Sequence, residues 1–201
     1  MRQMLREVGT SVVATLVFAL LVSVAYPVAV WALGRVFSRQ ADGSIVRRDG
    51  ATLGSDLIGQ NFTSDRYFWG RPSAAGNGYD AANSSGTNLG PLSQTLLDSV
   101  KDRVSDYRKK NGLKDTDPVP ADAVLSSASG LDPHISVANA RLQAPRVAKA
   151  RGLREEVVAH FIENHTEGRD LGFLGEPRVN VLLLNLSLDE YPGVSGGPGR
   201  K

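Results

Sequence analysis

Residues 8–34 contain no charged side chain; Glu7 precedes the run and Arg35 follows it. As a helix this run would be about 40 Å long, against a bilayer hydrocarbon core of roughly 30 Å. Val, Leu, Ala and Phe dominate it, and Tyr26 and Trp31 sit towards one end, where amphipathic rings favour the headgroup layer. Pro27 removes one backbone donor and predicts a kink, which membrane helices tolerate. A cleaved signal peptide is the other reading. Arg2 and Arg6 would be its basic start, and Ser23-Val24-Ala25 its small-residue cleavage site. The apolar run continues to Gly34 without weakening, which favours an uncleaved anchor.

Charge leaves the orientation open. Arg2 and Arg6 lie on the short side of the anchor, and Arg35, Arg39, Arg47 and Arg48 on the long side. That count leans towards a cytoplasmic domain, yet long domains translocate largely regardless of charge.

Composition excludes several function classes. A net charge of +2, without an arginine stripe or aromatic-basic interleaving, argues against nucleic-acid binding. The absence of cysteine removes disulfides, thiol nucleophiles and cysteine zinc sites. His160 and His165 are five residues apart without a third ligand nearby, so a metal site is not expected. No G-x-x-x-x-G-K-[ST] phosphate loop occurs, nor an aspartyl-phosphate motif, nor H-E-x-x-H. ATP hydrolysis by this chain alone is not expected.

Beyond the anchor, Asp49-Gly50 signals a hairpin turn. Residues 60–91 are polar, turn-rich and interleaved with aromatics, as expected of a long packed loop. Leu92, Leu96, Leu97, Val100, Val104 and Tyr107 share one face of a helix over 92–109, which Asn111-Gly112 ends. Residues 121–127 read as a short helical or extended piece. Ser136 is a candidate N-cap for a helix through 140–143 that Pro145 kinks or restarts. A second amphipathic helix covers 154–164. The apolar run over 178–184 reads as a buried strand. The expected architecture is α/β or α+β, with several helices around a small sheet after the single N-terminal helix.

Two segments carry candidate chemistry. Ser127-Ala128-Ser129-Gly130-Leu131-Asp132-Pro133-His134 holds a serine, an acid and a histidine, the ingredients of an extracytoplasmic hydrolase using Ser129 and His134. Triads draw these groups from separated segments, so a turn whose serine hydroxyls bond loop amides is the favoured reading. A ligand-binding domain released after Ala25 is a further alternative. Tyr67-Phe68-Trp69-Gly70-Arg71-Pro72-Ser73 is either a recognition patch or the pin that holds the long loop, with Arg71 bonding carbonyls; the two roles are compatible.

Taken in order, these motifs resemble a family. Gln60-x-Phe62 and the Tyr67 to Ser73 segment are followed by Ser85-Gly86-x-Asn88-Leu89-Gly90-Pro91 and by Ser127 to Ile135. Then come Gln143-x-x-Arg146-Val147-Ala148-x-Ala150-Arg151-Gly152, Thr166-Glu167-Gly168-Arg169 and Gly175-Glu176-Pro177-Arg178-Val179-Asn180-Val181-Leu182. The series is similar to the C subunit of the Kdp potassium-transporting P-type ATPase, from the anchor to about Asp189.

The resemblance implies a non-catalytic subunit in the bacterial inner (plasma) membrane. Its partners would be a channel-like potassium-binding subunit, a P-type ATPase catalytic subunit and a very small fourth subunit, with the lipid bilayer around the anchor. It implies a short cytoplasmic tail (1–7), a transmembrane helix (8–34), an extracytoplasmic domain (35–191) and a disordered tail (192–201). It further implies an assembly role and a catalytic chaperone that raises the pump's ATP affinity. Potassium would be the transported ion; the resemblance also implies ATP binding, by this chain itself or through the complex. The partner-contacting or loop-organising candidates within the motifs are Tyr67, Trp69, Arg71, Asn88, Ser127, Ser129, Asp132, His134, Gln143, Arg146, Arg178 and Asn180.

Overall fold

A computed structural model describes residues 1–192. The expected tail at 192–201 lies, apart from Pro192, outside the described residues. The chain divides into two units, Met1–Ile45 and Val46–Lys201.

The first unit is helical almost throughout. Helix α1 (Arg2–Leu20) passes through a π-helical turn at Leu21–Ala25 into α2 (Tyr26–Gly34), followed by a 3₁₀ turn at Arg35–Phe37 and the short α3 (Ser38–Ala41). Thr10, Ser11 and Thr15 turn their hydroxyls back onto carbonyls of the preceding turn, leaving an apolar exterior. None of the residues of α1 or α2 is buried within the molecule. The stretch is long and apolar enough to cross a membrane. Where Pro27 predicted a kink, the structure widens the helix: the Tyr26 N–H reaches back five residues to the Leu21 carbonyl. A proline in a regular α-helix presses its ring on the carbonyl four residues earlier, and the wider turn relieves that clash.

The second unit opens on a hairpin of β1 (Ile45–Arg48) and β2 (Ala51–Ser55). Asp49 (φ 51°) and Gly50 (φ 80°) supply the two positive φ angles of a type I′ turn, as Asp-Gly predicts. Then comes the long loop, held by a single 3₁₀ turn at Ala81–Asn83. Helix α4 (Gln94–Asn111) is capped by Ser93, whose hydroxyl accepts the Leu96 N–H, and ends on Gly112 at φ 66°. The short α5 (Ala121–Val124) leads to β3 (His134–Ser136). Ser136 caps α6 (Val137–Arg151) as expected, and that helix runs unbroken through the exposed Pro145. Helix α7 (Glu155–Asn164) and β4 (Thr166–Glu167) follow.

One element differs from expectation. The apolar run predicted as a strand is β5 (Arg178–Asn180) for three residues only, and then becomes α8 (Val181–Glu190). Asn180 makes the switch: its side-chain oxygen accepts the Leu183 N–H, capping a helix where the apolar pattern alone is ambiguous. Strand β5 lies between β3 and β4, antiparallel to both, with Val179 opposite Ile135 and Thr166. The core gathers Ile135, Val147, Val158, Ile162, Val179, Leu184 and Leu188 from the sheet and from α6, α7 and α8, and Phe68 from the long loop. Burial of a side chain as large as Phe68 contributes about 2–3 kcal/mol. The mixed helix-and-sheet class expected from sequence is the one observed.

Candidate functional site

The loop after β2 cannot form a regular element, so its backbone needs partners from elsewhere. Two buried amides supply them. Asn185 of α8 accepts the Phe68 N–H at 2.8 Å and donates to the Phe68 carbonyl at 3.0 Å. Gln143 of α6 does the same for Trp69, at 2.8 and 3.1 Å. Each amide imitates a neighbouring β-strand for one residue, and the phenyl ring of Phe68 is locked in the core between them.

Arg146 completes the arrangement. Its guanidinium donates to Asn111 Oδ1, to the Asp65 and Tyr67 carbonyls and to Gln143 Oε1, at 2.7–3.0 Å. It also lies 3.5 Å from the centroid of the Trp69 ring. Burial lowers its pKa to about 10, so it remains a cation at neutral pH. Neutral carbonyl and amide oxygens, with an aromatic face, replace the water it has lost. Gln143 also donates to Asn139 Oδ1, which accepts Tyr107 Oη at 2.7 Å, while Asn139 Nδ2 donates to Asp122. Burial, followed by the charge of Asp122, pushes the Tyr107 hydroxyl above its ordinary value. Tyr67 sits at the rim, bonded to Asp189 at 3.1 Å and 5.1 Å from the Arg151 guanidinium.

A second constellation forms at the sheet. Arg71 pairs with Asp132 at 2.8 Å and reaches the Leu125 and Ser126 carbonyls. His134 Nδ1 lies 3.6 Å from Asp132, and its Nε2 lies 3.5 Å from Glu167. Arg178 bonds Glu167 at 3.0 Å and Asp170 at 3.4 Å. Basic and acidic side chains therefore alternate from Arg71 to Asp170. Burial alone would raise the Asp132 carboxyl; the His134 ring and N–H and then Arg71 outweigh it, holding the pKa at about 2. Tyr79, which donates to the Arg71 carbonyl, is pushed up to about 12 by burial and then by Asp132. A cleft of about 410 Å³ opens here, with Arg71, Asp132, His134, Glu176 and Arg178 in its walls.

The sequence candidates thus fall into two groups. Tyr67, Trp69, Gln143 and Arg146 meet at the loop clamp, and Arg71, Asp132, His134 and Arg178 meet at the sheet. Asn180 caps α8 and donates to the Asp56 carbonyl. Ser127 and Ser129 lie in the turn before β3, their hydroxyls 3.4 Å apart, and Ser129 Oγ accepts the Leu131 N–H. Both His134 ring nitrogens face carboxylates, so the geometry gives Ser129 no general base. Asn88 stands apart, exposed in the long loop at φ 53°. Sequence reasoning missed Asn139, Asn185 and Asp122. For Asn185 the available signal was an amide within the otherwise apolar run of Val181 to Leu186.

A second cleft, of about 860 Å³, has Lys109, Lys110 and Lys149 in its walls together with Asp65 and Glu155. It lies where the last turns of α4 and α6 and the first turn of α7 come together, so helix ends of both polarities face it. Among the described residues no three His, Cys, Asp or Glu side chains are grouped to hold a metal.

Comparison with known proteins matches residues 8–190 to the family model of the K⁺-transporting ATPase c chain, KdpC. The potassium-transporting ATPase KdpC subunit of Mycobacterium tuberculosis H37Rv is 53% identical over 187 residues, covering 92% of this chain and 99% of the relative. The KdpC subunit of Methylococcus capsulatus is 52% identical, covering 92% and 98%. That of Koribacter versatilis is 50% identical, covering 92% and 95%.

Proposed function

The chain belongs to the KdpC family of K⁺-transporting ATPase subunits, and from that membership we propose that it is a membrane-anchored accessory subunit that assembles and stabilises a high-affinity potassium-uptake complex. The observation that carries this reading is that the family match runs from residue 8 to residue 190, over the apolar helix and the folded domain together. In this reading the helix crosses the bacterial inner membrane once, residues 1–7 are cytoplasmic, and the domain over 35–191 lies outside the cytoplasm. Its partners are the channel-like potassium-binding subunit, the P-type catalytic subunit and the small fourth subunit.

The polar machinery of the domain supports a docking role. The carboxylates, guanidiniums and amides of both clusters are engaged with one another, which makes a rigid body with a shaped surface. Rigidity lowers the ordering cost of association. A catalytic-chaperone effect on the pump's ATP affinity would run through the membrane helix and the docked domain, by contacts that differ between two states of the pump.

The test is to purify the tagged full chain in mild detergent from potassium-starved cells and assay the eluate for potassium-stimulated ATPase activity. Co-elution of a large channel-like protein and an active P-type ATPase is expected. A chain that elutes alone, while both partners are expressed and stable, overturns the subunit reading. Normal assembly and potassium affinity after deletion of residues 40–201 would overturn the docking role.

A further inference from the structure

Between β4 and β5 the chain leaves the sheet as a tight hairpin over residues 169–177. Asp170 and Leu174 exchange backbone hydrogen bonds, both at 2.9 Å, and the Gly172 and Phe173 N–H groups donate to the Arg169 and Asp170 carbonyls. Two ion pairs brace the base, Arg169 with Glu176 at 2.7 Å and Arg178 with Glu167 at 3.0 Å. The tip is pre-shaped, and it presents carbon: Leu171, Phe173 and Leu174 are 83%, 69% and 48% exposed.

Single exposed apolar residues need no explanation, but three within four positions on a braced tip form a patch. Nor does the fold of the domain explain them. Leu171 holds a left-handed conformation at φ 53°, which is strained for a leucine and free for a glycine, and its exposed side chain recovers none of that strain. We propose that this hairpin is the finger by which the domain docks into an apolar, uncharged socket on a protein partner of the transport complex. The proposal rests on the subunit reading above and names its contact surface.

Charge decides between a protein and a lipid surface. A tip that enters a membrane is drawn to anionic headgroups by free Lys and Arg at its flanks. Here Arg169 and Arg178 are already paired with Glu176, Glu167 and Asp170, so the base carries more acid than base. Such a base gains nothing from an anionic headgroup layer. It suits a socket whose attraction comes from apolar burial, as at the centre of a protein interface.

The full-length chain, co-expressed with the other subunits, provides the test. The double variant Leu171→Asn/Phe173→Ser should lower co-purified partner tenfold or more in mild detergent, because buried aromatic anchors dominate such interfaces. Thermal unfolding of the domain should stay unchanged or rise, since Asn suits the left-handed position better than Leu. Leu92→Ser, at a position 93% exposed elsewhere in the same unit, should co-purify like wild type. A photo-crosslinking residue at position 173 should form an adduct with another subunit. If wild type recovers its partners and the double variant recovers them equally, the finger is wrong and the subunit reading stands. Wild type that recovers none, with partners present, removes the subunit reading and the finger with it. An adduct to lipid or to a second copy of the chain overturns the protein socket.

Discussion

Replacing Asn185 with leucine should destabilise the domain by about 3 kcal/mol without leaving a cavity. Leucine has the same branched outline and is the bulkier of the two, so the cost comes from what the amide was holding and from crowding, not from a void. Asn185 is wholly buried and satisfies both backbone groups of Phe68, at 2.8 and 3.0 Å. Each group stranded without water costs about 1–3 kcal/mol, and the added buried carbon returns roughly 1–2 kcal/mol. At about 2–4 °C per kcal/mol for a domain of this size, the midpoint should fall by roughly 6–12 °C. Trp69, one of two tryptophans, is bonded next to Phe68 and reports the transition by fluorescence in the detergent-solubilised chain. Asn185→Asp sharpens the test. The aspartate keeps an acceptor for the Phe68 N–H but turns a second oxygen towards the Phe68 carbonyl. Burial and that carbonyl both favour the protonated form, so the folded-state pKa lies above its unfolded value. Its stability is then fullest below an unfolded pKa of about 4 and is lost as pH rises through the folded pKa. The Asp variant should therefore stand closer to wild type at pH 4 than at pH 7.5. A leucine variant within 1 kcal/mol of wild type (about the net worth of a single ordinary hydrogen bond), or an Asp deficit that is flat with pH, would refute the amide-clamp argument.

Three further outcomes are expected. The Asp132 carboxyl sits at about 2 instead of its ordinary 3.8, so it stabilises the fold above about pH 4 and that contribution disappears as pH falls through 2. Asp132→Asn should cost roughly 2 kcal/mol at pH 7 and flatten the acid limb of a stability-against-pH curve. Gly152→Ala meets no atom within 4 Å yet must hold φ at 68°, so urea unfolding should show a loss of about 1 kcal/mol from backbone strain alone. Ser129→Ala removes two exposed loop bonds, to the Leu131 N–H and to the Ser127 hydroxyl; it should shift stability by less than about 1 kcal/mol and leave complex assembly intact, as co-purification will show.

Much of the fold was legible because the signals are local. The uncharged run over 8–34, the Asp49-Gly50 hairpin, Ser136 as an N-cap and Gly112 as the end of α4 each act through neighbours a few residues away. The run after Arg178 was misread because a short apolar stretch suits a buried strand or a buried helix equally well. Asn180, three residues before the amide it caps, was the local clue to the helix. At the candidate site, Trp69 and Arg71 stood out as aromatic and basic residues in a loop, but their tasks did not. Gln143 lies 74 positions from Trp69 and Asn185 lies 117 from Phe68, and no periodicity links such distances.

The sequence by itself determined an apolar helix, a mixed helix-and-sheet domain and, through its ordered motifs, the KdpC family. Those properties reside in composition, spacing and side-chain type along the chain. The tertiary structure alone decided that a buried arginine is stabilised by carbonyls and an indole face, that His134 lies between two carboxylates, and that Leu171, Phe173 and Leu174 point away from the core. Burial and hydrogen-bond partnership are properties of segments meeting in space, and they set the energy of a charged or apolar side chain far more strongly than its position in the chain does.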